Sequence, residues 1–202
     1  HFLSLDGVKT GCLGTIGYDL VERVLPSFRT TPEAHDLCEL LAQMKGFGCE
    51  RAVMEVSSHG IDQMRVADLR FDVGVFLNLT RDHLDYHGDM DSYFEVKRRF
   101  IVGDLGRRPK KLAINVDDVY GRRLAQELDD DSLISFGTGS DAEMQAIDVD
   151  MAPDGTTFTL RYEGKNRLVR SPLIGHYNVS NVLAAMAISA AVGADLDSCI
   201  GS

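Results

Sequence analysis

Lys111-Leu-Ala-Ile-Asn-Val116, Tyr120-Gly-Arg-Arg-Leu-Ala-Gln-Glu-Leu128 and Ser132-Leu-Ile-Ser-Phe136 form the stretch whose reading decides the fold. The outer runs read as strands and the middle one as a helix, an alternation that argues for a parallel sheet covered by helices. Upstream, Phe71–Asn78 reads as a second buried strand, Ala52–Val56 as a short apolar strand interrupted by Glu55, and Thr10–Leu13 as another short strand after a helix end near Phe2. Downstream, Ala146–Met151, Thr156–Tyr162 and Arg167–Leu173 are alternating segments joined by Pro153-Asp-Gly155 and Glu163-Gly-Lys-Asn166, the pattern of an antiparallel meander. There is no long linker, repeat or low-complexity tract. The expectation is one α/β domain over residues 1–202, a mostly parallel sheet flanked by helices with a small antiparallel subsheet at about 144–173.

Composition narrows the function classes. Of 202 residues, 44% are hydrophobic and 26% charged, as in soluble globular proteins. A net charge of -10 argues against nucleic acid or an anionic membrane surface as partner. It leaves room for a nucleotide, because helix N-termini, arginines and a metal can bind phosphate on an acidic protein. No apolar run is long enough for membrane insertion and no secretory signal is present. Cys12, Cys38, Cys49 and Cys199 lack metal-ligand spacing, which points to a reduced, cytoplasmic protein. The chain begins at His1 rather than Met, and the expectation is a fragment or a trimmed form of a longer protein.

Lys97 is the informative side chain. In Met90-Asp-Ser-Tyr-Phe-Glu-Val-Lys-Arg-Arg-Phe-Ile101, residues Tyr93, Val96, Phe100 and Ile101 follow the spacing of a helix face turned to a core, and Lys97 takes the missing i+4 position. One reading is a lysine that buries its methylenes and keeps its ammonium wet. The other is that burial disfavours the ammonium and leaves an amine poised for chemistry. A neutral amine can react with carbon dioxide to give a carbamate, a carboxylate-like metal ligand.

Other residues stand near element ends. Glu55, an acid inside a buried strand, is expensive unless paired or bound to metal. His83 follows the Phe71–Asn78 strand, and ligands collect beyond the carboxyl ends of parallel strands. Thr30 with Glu33 fits a capping box, and Thr31 before Pro32 fits an N-cap, so a helix starts here and Gly46 is its stop. The two hydroxyls also suit an anionic ligand. Gln63 and Arg65 share a side in extended structure, and Arg65 offers a fork for phosphate or carboxylate. Asp85, His87 and Asp89 are either ligands or a solvated turn before the Lys97 helix. Asn178 reads as the N-cap of the alanine-rich helix Gly175–Ile188, with Asn181 one turn on. The glycines between Gly7 and Gly17 fit ordinary turns rather than a phosphate loop.

Thr30-Thr-Pro-Glu-Ala34, Met54-Glu-Val-Ser-Ser-His-Gly60 with Gln63 and Arg65, Asn78-Leu-Thr-Arg-Asp-His-Leu-Asp-Tyr-His-Gly-Asp-Met90 and Gly175–Asn181 resemble, in order and spacing, the ATP-dependent Mur ligase family of peptidoglycan synthesis. The Asp-Tyr-His-Gly-Asp-Met run most resembles the branch that adds the third residue to a UDP-N-acetylmuramoyl dipeptide. The resemblance spans nearly the whole chain. It implies an amide ligase using ATP and Mg2+, with an acyl phosphate formed on the dipeptide and displaced by the amine of a diamino acid, meso-diaminopimelate or lysine. It implies that Thr30, Thr31, Ser57, Gln63 and Arg65 contact the UDP-muramoyl dipeptide. Glu55, His83 and a carbamylated Lys97 are then the metal ligands and catalytic residues, and Asn178 and Asn181 lie on the nucleotide side. Arg29 departs from the family's usual Asn. The family's phosphate loop, expected just before His1, and its flanking N- and C-terminal domains are absent from this sequence, so the piece alone is expected to be inactive. Sibling ligases of the cyanophycin or folylpolyglutamate type and a non-catalytic module are the competing readings.

Overall fold

The computed structural model describes residues 7–128 and 131–200, so the helix end expected near Phe2 lies outside the described residues. The chain forms two compact units: the described parts of Leu3–Arg70 with His87–Arg108, and of Phe71–Tyr86 with Pro109–Ser202.

The first unit is built on a four-stranded sheet in the order β3-β2-β1-β4. Strand β1 (Thr10–Leu13) lies parallel to β4 (Arg51–Met54), with Leu13 opposite Met54, and antiparallel to β2 (Tyr18–Asp19), which pairs with β3 (Val24–Leu25). Helix α1 (Ala34–Gly46) buries Leu37, Leu40 and Met44, the face its spacing announces. Its N-cap position is Glu33, without a side-chain cap, so neither expected threonine cap forms. The short helix α2 (Ser58–Asp62) begins at Ser57, whose Oγ accepts from the Gly60 amide at 3.1 Å.

Helix α4 (Met90–Val102) starts on Asp89, which accepts from the Ser92 amide at 2.7 Å, and ends on Gly103 in the left-handed region. An aspartate accepting at the N-cap and a left-handed glycine at the C-terminal end are favourable helix-end chemistry. The helix buries Tyr93, Phe94 and Ile101. Phe94 replaces Val96 and Phe100 in the sequence-read stripe. That rotation places Lys97 three residues after Phe94 and four before Ile101, in the middle of the apolar face.

The second unit holds a six-stranded sheet in the order β10-β9-β8-β7-β6-β5. Strands β5 (Val73–Phe76), β6 (Lys111–Asn115), β7 (Leu133–Gly137) and β8 (Met144–Ala152) run parallel. Strands β9 (Gly155–Tyr162) and β10 (Lys165–Ser171) turn back antiparallel. The expected antiparallel meander is thus the β8-β9-β10 end of the main sheet. Parallel strands ordinarily need a long crossover. Here β8 starts where β7 ends, with Phe136 opposite Met144 and Gly137 opposite Gln145, so a short loop suffices.

Helix α6 (His176–Ala191) buries Val179, Val182, Leu183, Met186 and Ala187 in a core shared with Ala113, Phe136, Met144, Phe158 and Leu160. Helices α5 (Val119–Leu128) and α7 (Leu196–Ile200) complete this unit, and the short turn α3 (Leu84–His87) leads the chain back into the first. No helix among the described residues is long and apolar enough to cross a membrane.

Candidate functional site

In the first unit the site residues converge on the corner where β4 gives way to α2. The strand ends at Met54, so Glu55 lies just beyond it with an exposed side chain. This corrects the reading of Glu55 as an acid inside a buried strand: only its amide continues the ladder, donating to the Leu13 carbonyl at 2.9 Å. Its carboxylate accepts from the Thr15 hydroxyl at 2.7 Å, and Thr15 lies 3.1 Å from the Thr30 hydroxyl. With the Thr15 proton committed to Glu55, Thr30 is the donor of that pair. A Cβ on Gly14 would stand 2.6 Å from Glu55 Oε1, so a glycine here keeps room for the carboxylate.

Thr31 is fully buried and its hydroxyl clamps the corner, donating to the Glu55 carbonyl and accepting from the Ser57 amide, both at 2.9 Å. That long-range engagement explains why it does not cap α1. The segment before it is fixed by the Tyr18 hydroxyl, which donates to the Arg29 carbonyl at 2.5 Å and accepts from the Arg29 amide at 3.1 Å. Replacing Thr31 by valine keeps the shape but orphans a part-buried carbonyl and a part-buried amide. The expected loss is about 2 kcal/mol or more, read as a fall in Tm of about 4–8 °C. Thr31→Ser, which keeps the hydroxyl, should fall less. Equal melting of Thr31→Val and the parent chain would remove the clamp from the account.

Gln63 and Arg65 meet because Met64 between them takes a left-handed φ of 60°. Arg65 has a side chain only 6% exposed; it donates to the Thr31 carbonyl at 2.8 Å, pairs with Glu33 at 3.1 Å and donates to Gln63 Oε1. Its Nε is buried without a partner. The guanidinium thus lies inside the wall of the corner, with one donor left over.

Lys97 is half-buried on α4, its ammonium 5.4 Å from the Tyr93 ring centroid. Burial pushes its pKa below the ordinary lysine value. The folded state therefore disfavours the charge, and the sign of the consequence follows. Between the lowered folded value and the unfolded one the unfolded chain binds more protons, so stability rises with pH across that window. Lys97→Met, which removes the buried charge, should raise Tm at neutral pH, and the gain should shrink as pH climbs toward the ordinary lysine range. A constant difference at all pH values would contradict this.

In the second unit His83 follows β5 with a left-handed φ of 53° and lies 3.5 Å from Asp82. Two residues that the sequence reading passed over lace the carboxyl ends of this sheet. Asp118 accepts from the Leu79 amide at 3.1 Å and from the Tyr120 and Gly121 amides at 2.9 Å, joining the loop after β5 to the start of α5. Asp117 accepts from the Thr138 amide at 2.7 Å, the Thr138 hydroxyl at 2.9 Å and the Gly139 amide at 3.1 Å, joining the loop after β7. Two acids directly after a buried strand were the available signal. Asn178 is not the N-cap of α6; Gly175 takes that position with φ 110°. Asn178 donates to the Ile174 carbonyl at 2.9 Å and accepts from Asn181 at 3.3 Å, so the two amides form one pair at the helix start.

Among the described residues no three His, Cys, Asp or Glu side chains gather as a metal site. Of the three expected ligands, Glu55 and Lys97 fall in the first unit and His83 in the second.

The family model of the Mur ligase middle domain matches residues 1–189. The chain belongs to the Mur ligase family. It is 41% identical over 203 residues to the UDP-N-acetylmuramoyl-L-alanyl-D-glutamate--2,6-diaminopimelate ligase of Geobacter sulfurreducens, a match covering 98% of this chain and 40% of the relative. The ligase of the same name from Geobacter metallireducens is 42% identical over 199 residues, 96% of this chain and 39% of that protein. A solved structure of a ligase of this name superposes with a TM-score of 0.85 at 29% identity, covering 99% of this chain and 41% of its own. The chain therefore spans about two fifths of these relatives' length, and its α/β fold is that of the Mur ligases.

Proposed function

We propose that this chain is the central part of an ATP-dependent amide ligase that adds 2,6-diaminopimelate to UDP-N-acetylmuramoyl-L-alanyl-D-glutamate in the cytoplasm. The observation that carries the reading is a lysine whose charge burial disfavours, centred on an apolar helix face, in a chain 41% identical to a ligase of that name. The neutral Lys97 amine attacks carbon dioxide: an N–C bond forms, one C–O π bond opens onto oxygen, and a proton leaves to solvent. The product is an anionic carbamate, a hard oxygen donor that suits magnesium as the Glu55 carboxylate does.

Bound magnesium would supply charge neutralisation while the ATP γ-phosphoryl group meets the dipeptide carboxylate. Thr30, Thr31, Ser57, Gln63 and Arg65 form the wall on the dipeptide side, with Thr31 and Arg65 acting from within it. Asn178 and Asn181 present their paired amides to the nucleotide. The acyl phosphate is then displaced by the amine of the diamino acid, forming the amide and releasing phosphate.

The test is reconstitution in the full-length protein, supplied with ATP, the UDP-muramoyl dipeptide and either 2,6-diaminopimelate or lysine. Dipeptide-dependent ADP release with diaminopimelate is the expected result, and the 202-residue chain alone should give none. Turnover with lysine alone would reassign the amino acid. Absence of any turnover, with the nucleotide and dipeptide still bound, would favour a non-catalytic module.

A further inference from the structure

The Lys97 amine does not stand alone on its helix. Its ammonium lies over the Tyr93 ring, 5.4 Å from the centroid. A second partner of that ring is His87, stacked on it with centroids 4.8 Å apart and planes inclined by 11°. The His87 ring in turn places Nε2 2.9 Å from Ser58 Oγ. Ser58 is 2% exposed, Tyr93 7% exposed, and Ser58 sits three residues after Glu55 at the start of α2. A continuous side-chain chain therefore runs from the corner that carries Glu55 to the helix that carries Lys97, through Ser58, His87 and Tyr93. A second fastening between the same helices is the Arg99–Asp62 pair at 3.8 Å. All these residues belong to the first unit.

We infer that His87 is a positioning residue: anchored by Ser58 and stacked on Tyr93, it holds the Tyr93 ring under the Lys97 amine and so fixes where that amine stands relative to the Glu55 corner. This deepens the proposed function, because the placement matters only if Lys97 becomes a ligand. Stacked planar rings resist sliding more than aliphatic contacts do, since their quadrupoles favour a limited set of offsets. Partners of this kind, one step behind the ligands, orient the donors of metal sites. A loop that merely packed would need neither the hydrogen bond to Ser58 nor the near-parallel stack.

Two spectroscopic signals test the inference on the chain itself. The first is the upfield displacement that the Tyr93 ring current imposes on the Lys97 Hε resonances; the second is the 13C carbamate resonance in 13C-bicarbonate. Tyr93→Leu should abolish the displacement and Tyr93→Phe should keep it, which assigns the signal. The decisive variants are His87→Gln and the milder Ser58→Ala, each checked for a native amide spectrum. Collapse of the displacement in either folded variant, with a severalfold fall in carbamate occupancy, supports the positioning role; displacement equal to the parent in both overturns it. If the parent chain shows the displacement but no carbamate, the carbamylation reading fails, while the His87 and Ser58 variants still decide the positioning role by the first signal alone.

Discussion

Lys97→Ala in the full-length protein is expected to abolish diaminopimelate-dependent ADP release, and a short carboxylate such as formate or acetate is expected to restore part of it. The substitution removes the donor that a carbamate provides and leaves a void the length of the lost side chain, beside the Tyr93 ring over which the ammonium lay. Two anions, the γ-phosphate and the dipeptide carboxylate, must then meet with poorer charge compensation. Losing one such stabilising group costs about 10²–10³ in kcat. Steady-state ADP release with and without added carboxylate reads the effect directly. Lys97→Arg should fare no better than alanine, because a guanidinium stays protonated and cannot form a carbamate. Full turnover of Lys97→Ala without any additive would take the lysine out of the chemistry.

The largest expected effect on stability lies in the second unit. A Cβ on Gly121 would stand 2.0 Å from the Asn115 carbonyl oxygen and 3.4 Å from the Phe76 ring. Asn115 is the last residue of β6, held between β5 and β7, and its side chain accepts from the Asp117 amide at 3.0 Å. The clash is with backbone, so no rotamer relieves it. Gly121→Ala should cost about 3 kcal/mol or more, a fall in Tm of about 10 °C. Gly46→Ala is the control: nothing lies within 4 Å of its added methyl at the end of α1, so Tm should stay level or rise slightly. Comparable melting of the two variants would show that α5 can retreat from β6.

The contrast between those glycines marks what the sequence could and could not disclose. Local period was legible: the strand–helix–strand alternation at 111–136, the Lys97 helix and the three-strand meander all appear within a residue or two of their expected limits. Long-range engagement was not. Thr31 looked like a cap because capping is the local use of a threonine before proline, whereas its partners Glu55 and Ser57 lie 24 and 26 residues away. Asn178 looked like a cap for the same reason, until Gly175 took the position. Glu55 moved from the strand interior to just beyond the strand because β4 stops at Met54, two residues before the end of the apolar run at Val56. The division of the strands between two sheets left no trace in period at all, since each strand reads the same in either.

Where β8 begins beside the last residues of β7, only two residue pairs join the parallel strands to the antiparallel ones. Amide protons of β9 and β10 should therefore exchange with deuterated solvent as one group, on a schedule separate from those of β6. The sheet has a seam, and thermal fluctuation will open it there first.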